Sequence, residues 1–440
     1  MTMEHVSLVR LLSIDLKHLF QAWFFLVGPS DEALKVSFYA YTEEQLGTEE
    51  MIARLKSDHG YSVKKTKLYA LMKELDITNT SRKNKKKLSD EVKRTLVVEK
   101  IEDDQYRRNG PQVIQNMLAR EHNIIPRDEI RKIMKTFAPE GFLLRRPGRH
   151  NSIPRGNLLM LGPWQELHAD GHEKLCSSAL RMGPVGIGIY GFRQHVGKIE
   201  LLLVVPDARK ADAVGHLHLD VIERNGKIPV QMTVDKGSET GELYAQQVSL
   251  RTAFSNLDAD EFPPFVALTS THNITIESCW KWLRKHNGIA IREVLEQGKT
   301  NGVFQPTNPM HCDLFHWLWP KIVQGRLDDF VDYWNKHKTR PQPGVRTSGT
   351  TPNQIMACPT LYGLVDCGIP VNIDAVNALR SRLPPREEVF RWVSDEFAAI
   401  AQAAYEVTGS PCLTGPNALG NGWGIFAELA ATIELLSIEQ

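Results

Sequence analysis

Closely spaced cysteine pairs are missing from this sequence: Cys176, Cys279, Cys312, Cys358, Cys367 and Cys412 are scattered, with no Cys-x-x-Cys among them. That argues against a zinc ribbon and makes a reducing compartment the simpler reading. His311-Cys312 with nearby His316 lacks the second Cys-rich pair that would complete a soft-metal site. Long apolar runs are missing too. The longest near the start, Leu19 to Val27, contains Gln21 and falls well short of the roughly 20 residues of a membrane span. No small-residue cleavage site follows it, so it reads as a core helix rather than a secretory signal. There is no overall excess of charge: the net value is +1, with 42% hydrophobic and 24% charged residues. Those proportions exclude a wholly disordered or fibrous chain, and 440 residues predict about two to four domains.

The near-zero net charge hides an asymmetry. Residues 51–150 carry 24 Lys/Arg against 13 Asp/Glu, whereas residues 1–50 and 151–440 are each acidic by five charges. A polyanion would bind to the basic segment. That segment holds an internal repeat at an offset of 62 residues: Met51, Ile52, Leu55, Leu68, Leu71, Met72 and Leu75 match Val113, Ile114, Met117, Ile130, Ile133, Met134 and Phe137. Spacings of three and four predict two short amphipathic helices in each copy. A short turn joins each pair, as in a helix-turn-helix. In such a unit Lys64, Lys65 and Lys67, or Arg127, Arg131 and Lys132, face DNA; a plain helical hairpin with a solvated face is the alternative. Between the copies, Ser81 to Lys87 has five basic residues in seven and reads as a nuclear localisation signal or a phosphate-gripping linker. Arg145 to Gly156, rich in Pro, Gly and Arg, marks a boundary.

From Trp164 the pattern becomes strands and helices in alternation. Strands are expected up to Asp170, at Val185–Tyr190, at Lys198–Val205, up to Asp235 and at Phe265–Thr269. Helices are expected at Lys210–Arg224, at Glu242–Asn256 and around Glu277. Three strands, helix, strand, helix, strand, helix describes a mixed sheet flanked by helices, the order of ribonuclease-H-like cores. Asp170 and Asp235 fall at strand ends, and Glu277 follows the pre-helical cluster Ser270-Thr271-His272-Asn273. On that last helix Ile276, Trp280 and Leu283 face the core, while Glu277, Lys281 and Arg284 share the adjacent stripe. Three carboxylates from two strands and one helix suit in-line phosphodiester chemistry, which uses two hard cations roughly 3.5 to 4 Å apart. Mg²⁺ or Mn²⁺ takes such oxygen ligands and keeps positions open for water and phosphate. Asp170, Asp235 and Glu277 are therefore the candidate catalytic and metal-binding residues.

His168-Ala169-Asp170-Gly171-His172-Glu173-Lys174-Leu175, Asp235-Lys236-Gly237-Ser238-Glu239-Thr240-Gly241, Ser270 to Trp280, His311 to Pro320 and Asp332 to His337 together resemble the integrase-core proteins of the retroviral-integrase and DDE-transposase superfamily. The likeness is closest to an uncharacterised set common in fungal genomes, and it covers roughly residues 45 to 355. It implies DNA integration or transposition: Mg²⁺-dependent strand cleavage, then transfer of a 3′-hydroxyl. Duplex DNA, both element ends and target, is the implied partner of a nuclear homo-oligomer with no membrane association. Lys64, Lys65, Lys67, Arg127, Arg131, Lys132, Asn273, Lys281 and Arg284 are the expected DNA contacts. Thr240 stands where relatives carry Asn, and Thr275 where they often carry Arg; neither removes a metal ligand. The Cys/His zinc domain of retroviral integrases is absent. A domesticated DNA-binding protein and a hydrolytic nuclease are the other functions this pattern admits.

The expected fold class is α/β: a ribonuclease-H-like mixed-sheet catalytic core with N-terminal helix-turn-helix-like units and a helical C-terminal extension. The expected segments are 1–43 (helical), 44–100 and 101–144 (the two repeat copies), 145–163 (linker), 164–300 (catalytic core), 301–360 (helical extension) and 361–440 (C-terminal region). Aromatics in Phe304–Trp319 and Leu327–Trp334 fall at helical spacing and are expected to pack on the core. The last 47 residues contain no Lys, Arg or His and read as a small appended helical element.

Overall fold

The computed structural model describes residues 28–77, 88–104, 107, 109–139, 141, 160–268, 273–342, 345–415 and 417–438. The Leu19–Val27 run, the Ser81–Lys87 run and most of the 145–163 linker lie outside these. Contacts gather the chain into two units, each from three stretches. One takes the described residues up to Val98, Pro111–Thr136 and Lys336–Gly363; the other takes Glu99–Gly110, Phe137–Asn335 and Leu364–Gln440.

In the first unit, α1 (Asp31–Glu43), α2 (Thr48–His59) and α3 (Lys65–Glu74) pack around Leu34, Phe38, Tyr41, Met51, Leu55, Leu68 and Met72. Their ends are set by local chemistry. Ser30 Oγ accepts from the Ala33 N–H at the start of α1, and Glu50 accepts from the Gly47 N–H at the start of α2. The chain leaves α2 through Gly60 at φ 64°, a left-handed conformation that glycine adopts without a Cβ penalty. After α4 (Asp90–Glu102), helices α5 (Pro111–Arg120) and α6 (Arg127–Phe137) form the second copy, with His122 at φ 59° in Gly60's place.

The repeat holds, with one shift. Ile130 and Met134 are buried as Leu68 and Met72 are, at the 62-residue offset. In the preceding helix, Ile114 and Leu118 take the buried places of Met51 and Leu55, an offset of 63. That helix is rotated by one residue, so Val113 and Met117 are only half-buried, and Phe137, matched to buried Leu75, is exposed.

The third stretch completes the polar interior of this unit. Buried Glu44 accepts from Arg54 at 3.1 Å and from Thr351 at 2.8 Å. Arg54 also donates to Gln354 at 2.9 Å, and Glu50 accepts from Thr350 at 2.7 Å. Left unpaired, buried charges of this kind are strongly destabilising.

The second unit is built on a five-stranded mixed sheet. Its strands are β1 (Glu166–His172), β2 (Gly188–Gln194), β3 (Ile199–Val205), β4 (Gln231–Asp235) and β5 (Phe265–Leu268), in the order β3-β2-β1-β4-β5. β1, β2 and β3 are antiparallel neighbours, whereas β4 and β5 run parallel to β1. Helices α7 (Ala211–Asn225) and α8 (Gly241–Phe254) make the two parallel crossovers, and α9 (Ile274–Leu283) follows β5. This is a ribonuclease-H-like α/β fold with helical flanks.

One strand lies later than the apolar pattern suggested. Val185 and Ile187 are fully buried, but Ile187 N–H bonds locally to Leu175 at 2.8 Å. β2 instead runs on through the polar residues Arg193 and Gln194, which are buried too.

Past α9 come α10 (Ile289–Thr300) and the long α11 (Pro309–Lys336), whose Phe315, Trp319 and Phe330 are core residues. The C-terminal residues differ from the expected appendage. Helices α12 (Asp395–Thr408) and α13 (Ala418–Ile438) belong to the same apolar cluster as the sheet, the first through Ala401 and Ala404 and the second through Phe426, Leu429 and Ile433. Trp423 donates to the Val294 carbonyl at 2.6 Å, and a Cβ on Gly298 would stand 2.1 Å from its ring. The charged residues of α13, Glu428 and Glu434, are exposed, which leaves an apolar face for the core. Phe426→Ala should therefore lower the stability of this unit by about 3–5 kcal/mol, read from its denaturant midpoint; an unchanged midpoint would mean that α13 is peripheral.

Candidate active site

Alternation along β1 puts Glu166, His168 and Asp170 on one face and Leu167 and Ala169, both fully buried, on the other. On parallel β4, Gln231 pairs with Glu166 and Thr233 with His168; two residues further along the same strands come Asp170 and Asp235. α9 brings its first turn, carrying exposed Glu277.

Two attachments hold α9 against β1. The Trp280 indole N–H donates to Asp170 Oδ2 at 2.7 Å, while Asp170 Oδ1 accepts from the Gly171 N–H at 2.9 Å. At the other end Asn273, which precedes the first turn, bonds His168 Nδ1 through its Oδ1 at 2.9 Å and donates to the Ala169 carbonyl at 3.4 Å. The indole fits because residue 191, opposite Asp170 on β2, is glycine. A Cβ there would lie 2.8 Å from the Trp280 ring and 2.6 Å from Leu202.

Burial pushes the Asp170 carboxyl up to about 7; the Trp280 hydrogen bond opposes this, and the charges of Asp235 and Glu277 add to it. Both neighbouring carboxylates thus act on Asp170, and a cation placed beside it would relieve that repulsion. A fourth carboxylate, Glu239, is raised by burial and, against a backbone hydrogen bond, by Asp235. Burial holds the Tyr190 phenol well above its ordinary value, with Glu239, Asp170 and Asp235 adding to it.

Beneath α9 the polar stripe continues. Arg193 donates to the Thr275 carbonyl at 2.6 Å and to Ser278 Oγ at 2.5 Å, and its guanidinium lies over the Trp334 ring. Glu166, His168 and His195 bring one ligand atom each to within 4.8 Å of one another.

The expected DNA contacts separate into two groups. Lys64, Lys65, Lys67, Arg127, Arg131 and Lys132 are exposed in the first unit, and Lys281 and Arg284 are exposed on α9 beside Glu277. Asn273 is buried, with its amide engaged inside the fold, and is a positioning residue rather than a surface contact. Ser270, Thr271 and His272 lie outside the described residues. The residues that sequence reasoning passed over are Trp280 as a ligand of Asp170, Gly191, and the Glu166/His168/His195 group. The alternation of Glu166, His168 and Asp170 was a usable signal for the last.

The sheet order defines the class: a ribonuclease-H-like α/β protein, with Asp170 and Asp235 on adjacent parallel strands. Residues 160–363 match the family model of the integrase core domain, a little under half of the chain. No curated protein matches the chain.

The close fit around residue 191 has a measurable consequence. Gly191→Ala should displace the indole from Asp170, shifting the Trp280 indole N–H resonance and lowering stability by about 1–3 kcal/mol. An unmoved resonance would mean that the helix is held without this approach.

Proposed function

We propose that this protein is a DDE-type polynucleotidyl transferase that cleaves DNA and joins a 3′-hydroxyl to a target strand, as an integrase or transposase does. The observation that carries this reading is the placement of Asp170, Asp235 and Glu277 on β1, β4 and α9 of a ribonuclease-H-like sheet, with both neighbours' charges acting on Asp170. The donor set is all oxygen, and the neighbouring charges acting on Asp170 favour a hard divalent cation such as Mg²⁺ or Mn²⁺. Asp170, Asp235 and Glu277 would hold it. When bound, such ions activate the attacking oxygen and neutralise charge on the phosphate.

The remaining work falls to the protein. Trp280 and the Gly171 N–H fix the orientation of Asp170, so that less reorganisation is needed during reaction. Lys281 and Arg284, on the exposed stripe beside Glu277, are placed to hold the DNA backbone. α3 opens on Lys64, Lys65 and Lys67 with no acidic residue in its first turn. Cations at the positive end of a helix are unfavourable by themselves; a phosphate there offsets that. The two helical pairs are read as helix-turn-helix units gripping element ends or target. The Ser81–Lys87 run is read as a nuclear localisation signal, and the acting form as a homo-oligomer on duplex DNA.

Incubated with DNA and Mg²⁺ or Mn²⁺, the full-length protein should nick or join strands and stop on chelation. Asp170→Asn, Asp235→Asn and Glu277→Gln should each abolish turnover with DNA affinity largely intact. Activity that survives all three substitutions refutes the assignment. Tight binding with no cleavage or joining by the wild type would point to a DNA-binding protein that keeps only the fold.

Affinity for duplex DNA should fall steeply between 50 and 200 mM salt, by about 10³-fold if six phosphates are contacted. Neutralising Lys64, Lys65 and Lys67 together should flatten that salt dependence by about three charges. An unchanged slope would move the contact away from α3.

A further inference from the structure

We propose that Glu166, His168 and His195 form a Zn²⁺ site, separate from the carboxylate site, that fixes the β2–β3 hairpin and the start of α9 against β1. One ligand atom from each residue lies within 4.8 Å of the other two, and the Glu166 carboxylate faces both imidazoles, one oxygen toward each. His168 Nε2 lies 3.1 Å from His195 Nδ1, His195 Nδ1 lies 3.2 Å from Glu166 Oε2, and His168 Nε2 lies 3.5 Å from Glu166 Oε1. Tetrahedral Zn²⁺, with bonds of about 2.0–2.2 Å to nitrogen and carboxylate oxygen, separates its ligands by about 3.3–3.5 Å. One cation can therefore touch all three with little movement of the side chains.

The surrounding hydrogen bonds set the tautomer of His168. Asn273 Nδ2 faces the Ala169 carbonyl, so Oδ1 is the atom turned to His168, and Nδ1 carries the proton donated to it. Nε2 then holds a lone pair directed at His195 and Glu166. Thr233 Oγ1 donates to Glu166 Oε1, and Gln231 lies 3.4 Å from the same oxygen. Carbonyl and hydroxyl partners of this kind orient the ligands of built metal sites. The two imidazoles with one carboxylate suit a borderline ion such as Zn²⁺, whereas the all-oxygen carboxylate site suits Mg²⁺ or Mn²⁺. Three protein ligands leave a fourth position for water.

The arrangement acts through position rather than chemistry. His195 lies where the chain turns from β2 to β3, and its N–H bonds the Glu166 carbonyl at 2.9 Å. His168 holds Asn273 ahead of the first turn of α9. A cation joining them would set the same helix that carries Glu277.

The test uses full-length protein stripped with a chelator and dialysed against Zn²⁺ in excess Mg²⁺. One zinc per chain is expected by elemental analysis, and Co²⁺ in its place should give the visible absorption of a tetrahedral ion. His195→Ala should weaken zinc binding at least tenfold, whereas Asp170→Asn, Asp235→Asn and Glu277→Gln should keep one zinc each. No retained zinc, an octahedral Co²⁺ spectrum, or zinc lost with the carboxylates and kept in His195→Ala would each overturn the proposal. The Co²⁺ spectrum is read on the wild type, so it decides even if His195→Ala fails to fold. Because the carboxylate variants report separately, failure here leaves the transferase reading standing, and the reverse holds equally.

Discussion

Holding the buried Asp170 carboxyl beside the charges of Asp235 and Glu277 is a constraint that the packing of α9 on β1 has to meet. A sheet that sets Asp170 and Asp235 on adjacent strands, and a helix that adds Glu277, must hold like charges together in a partly buried place. The fold does so by fastening the helix elsewhere. The Trp280 indole supplies Asp170 with a directed N–H, and Asn273 ties the other end of the helix to β1. Since the two attachments lie two turns apart, they fix both the height and the phase of α9. Glu277, exposed on that helix, then need contribute nothing to holding it in place.

The same logic explains why so much of the sheet face beneath α9 is polar. A helix packed only on apolar side chains could slide or rotate at modest cost, because such contacts have little directionality. Arg193, bonded to Thr275 and Ser278 and stacked on Trp334, adds a directional contact along the same helix. Buried polar groups are expensive when left unsatisfied, so each bond of this kind defines a register that neighbouring registers cannot match.

Much of this was legible in the sequence because it is written in local periods. Alternating and continuous apolar runs marked the strands, and spacings of three and four marked α7, α8 and α9 with their buried Ile276, Trp280 and Leu283. Asp235 stood out at a strand end and Glu277 at a helix start, whereas Asp170, expected to end its strand, lies two residues inside β1. What was not legible depends on contacts between distant segments. Nothing local says that Trp280 reaches Asp170, that residue 191 must lack a Cβ for it to do so, or that His195 meets His168. The expected strand stopped at Tyr190, short of the polar Arg193 and Gln194, whereas both are buried as part of β2. Asn273 looked like a surface residue in a polar cluster, and only the packing of α9 turns it inward. The rotation of the second repeat copy was hidden for another reason: Ile114 and Met117 are apolar in either phase, so the pattern fits two faces of the helix.

The dispersed make-up of the first unit carries a consequence for biosynthesis. Arg54 finds Gln354 only after 300 further residues have been added, and buried Glu44 waits equally long for Thr351. At about 5–20 residues per second, a ribosome leaves those early helices incomplete for roughly 15–60 s. Throughout that interval a charged interior stays open to water, and to any chaperone able to recognise it. The last partners emerge well before the C-terminal helices do, so the unit that is begun first can also close first.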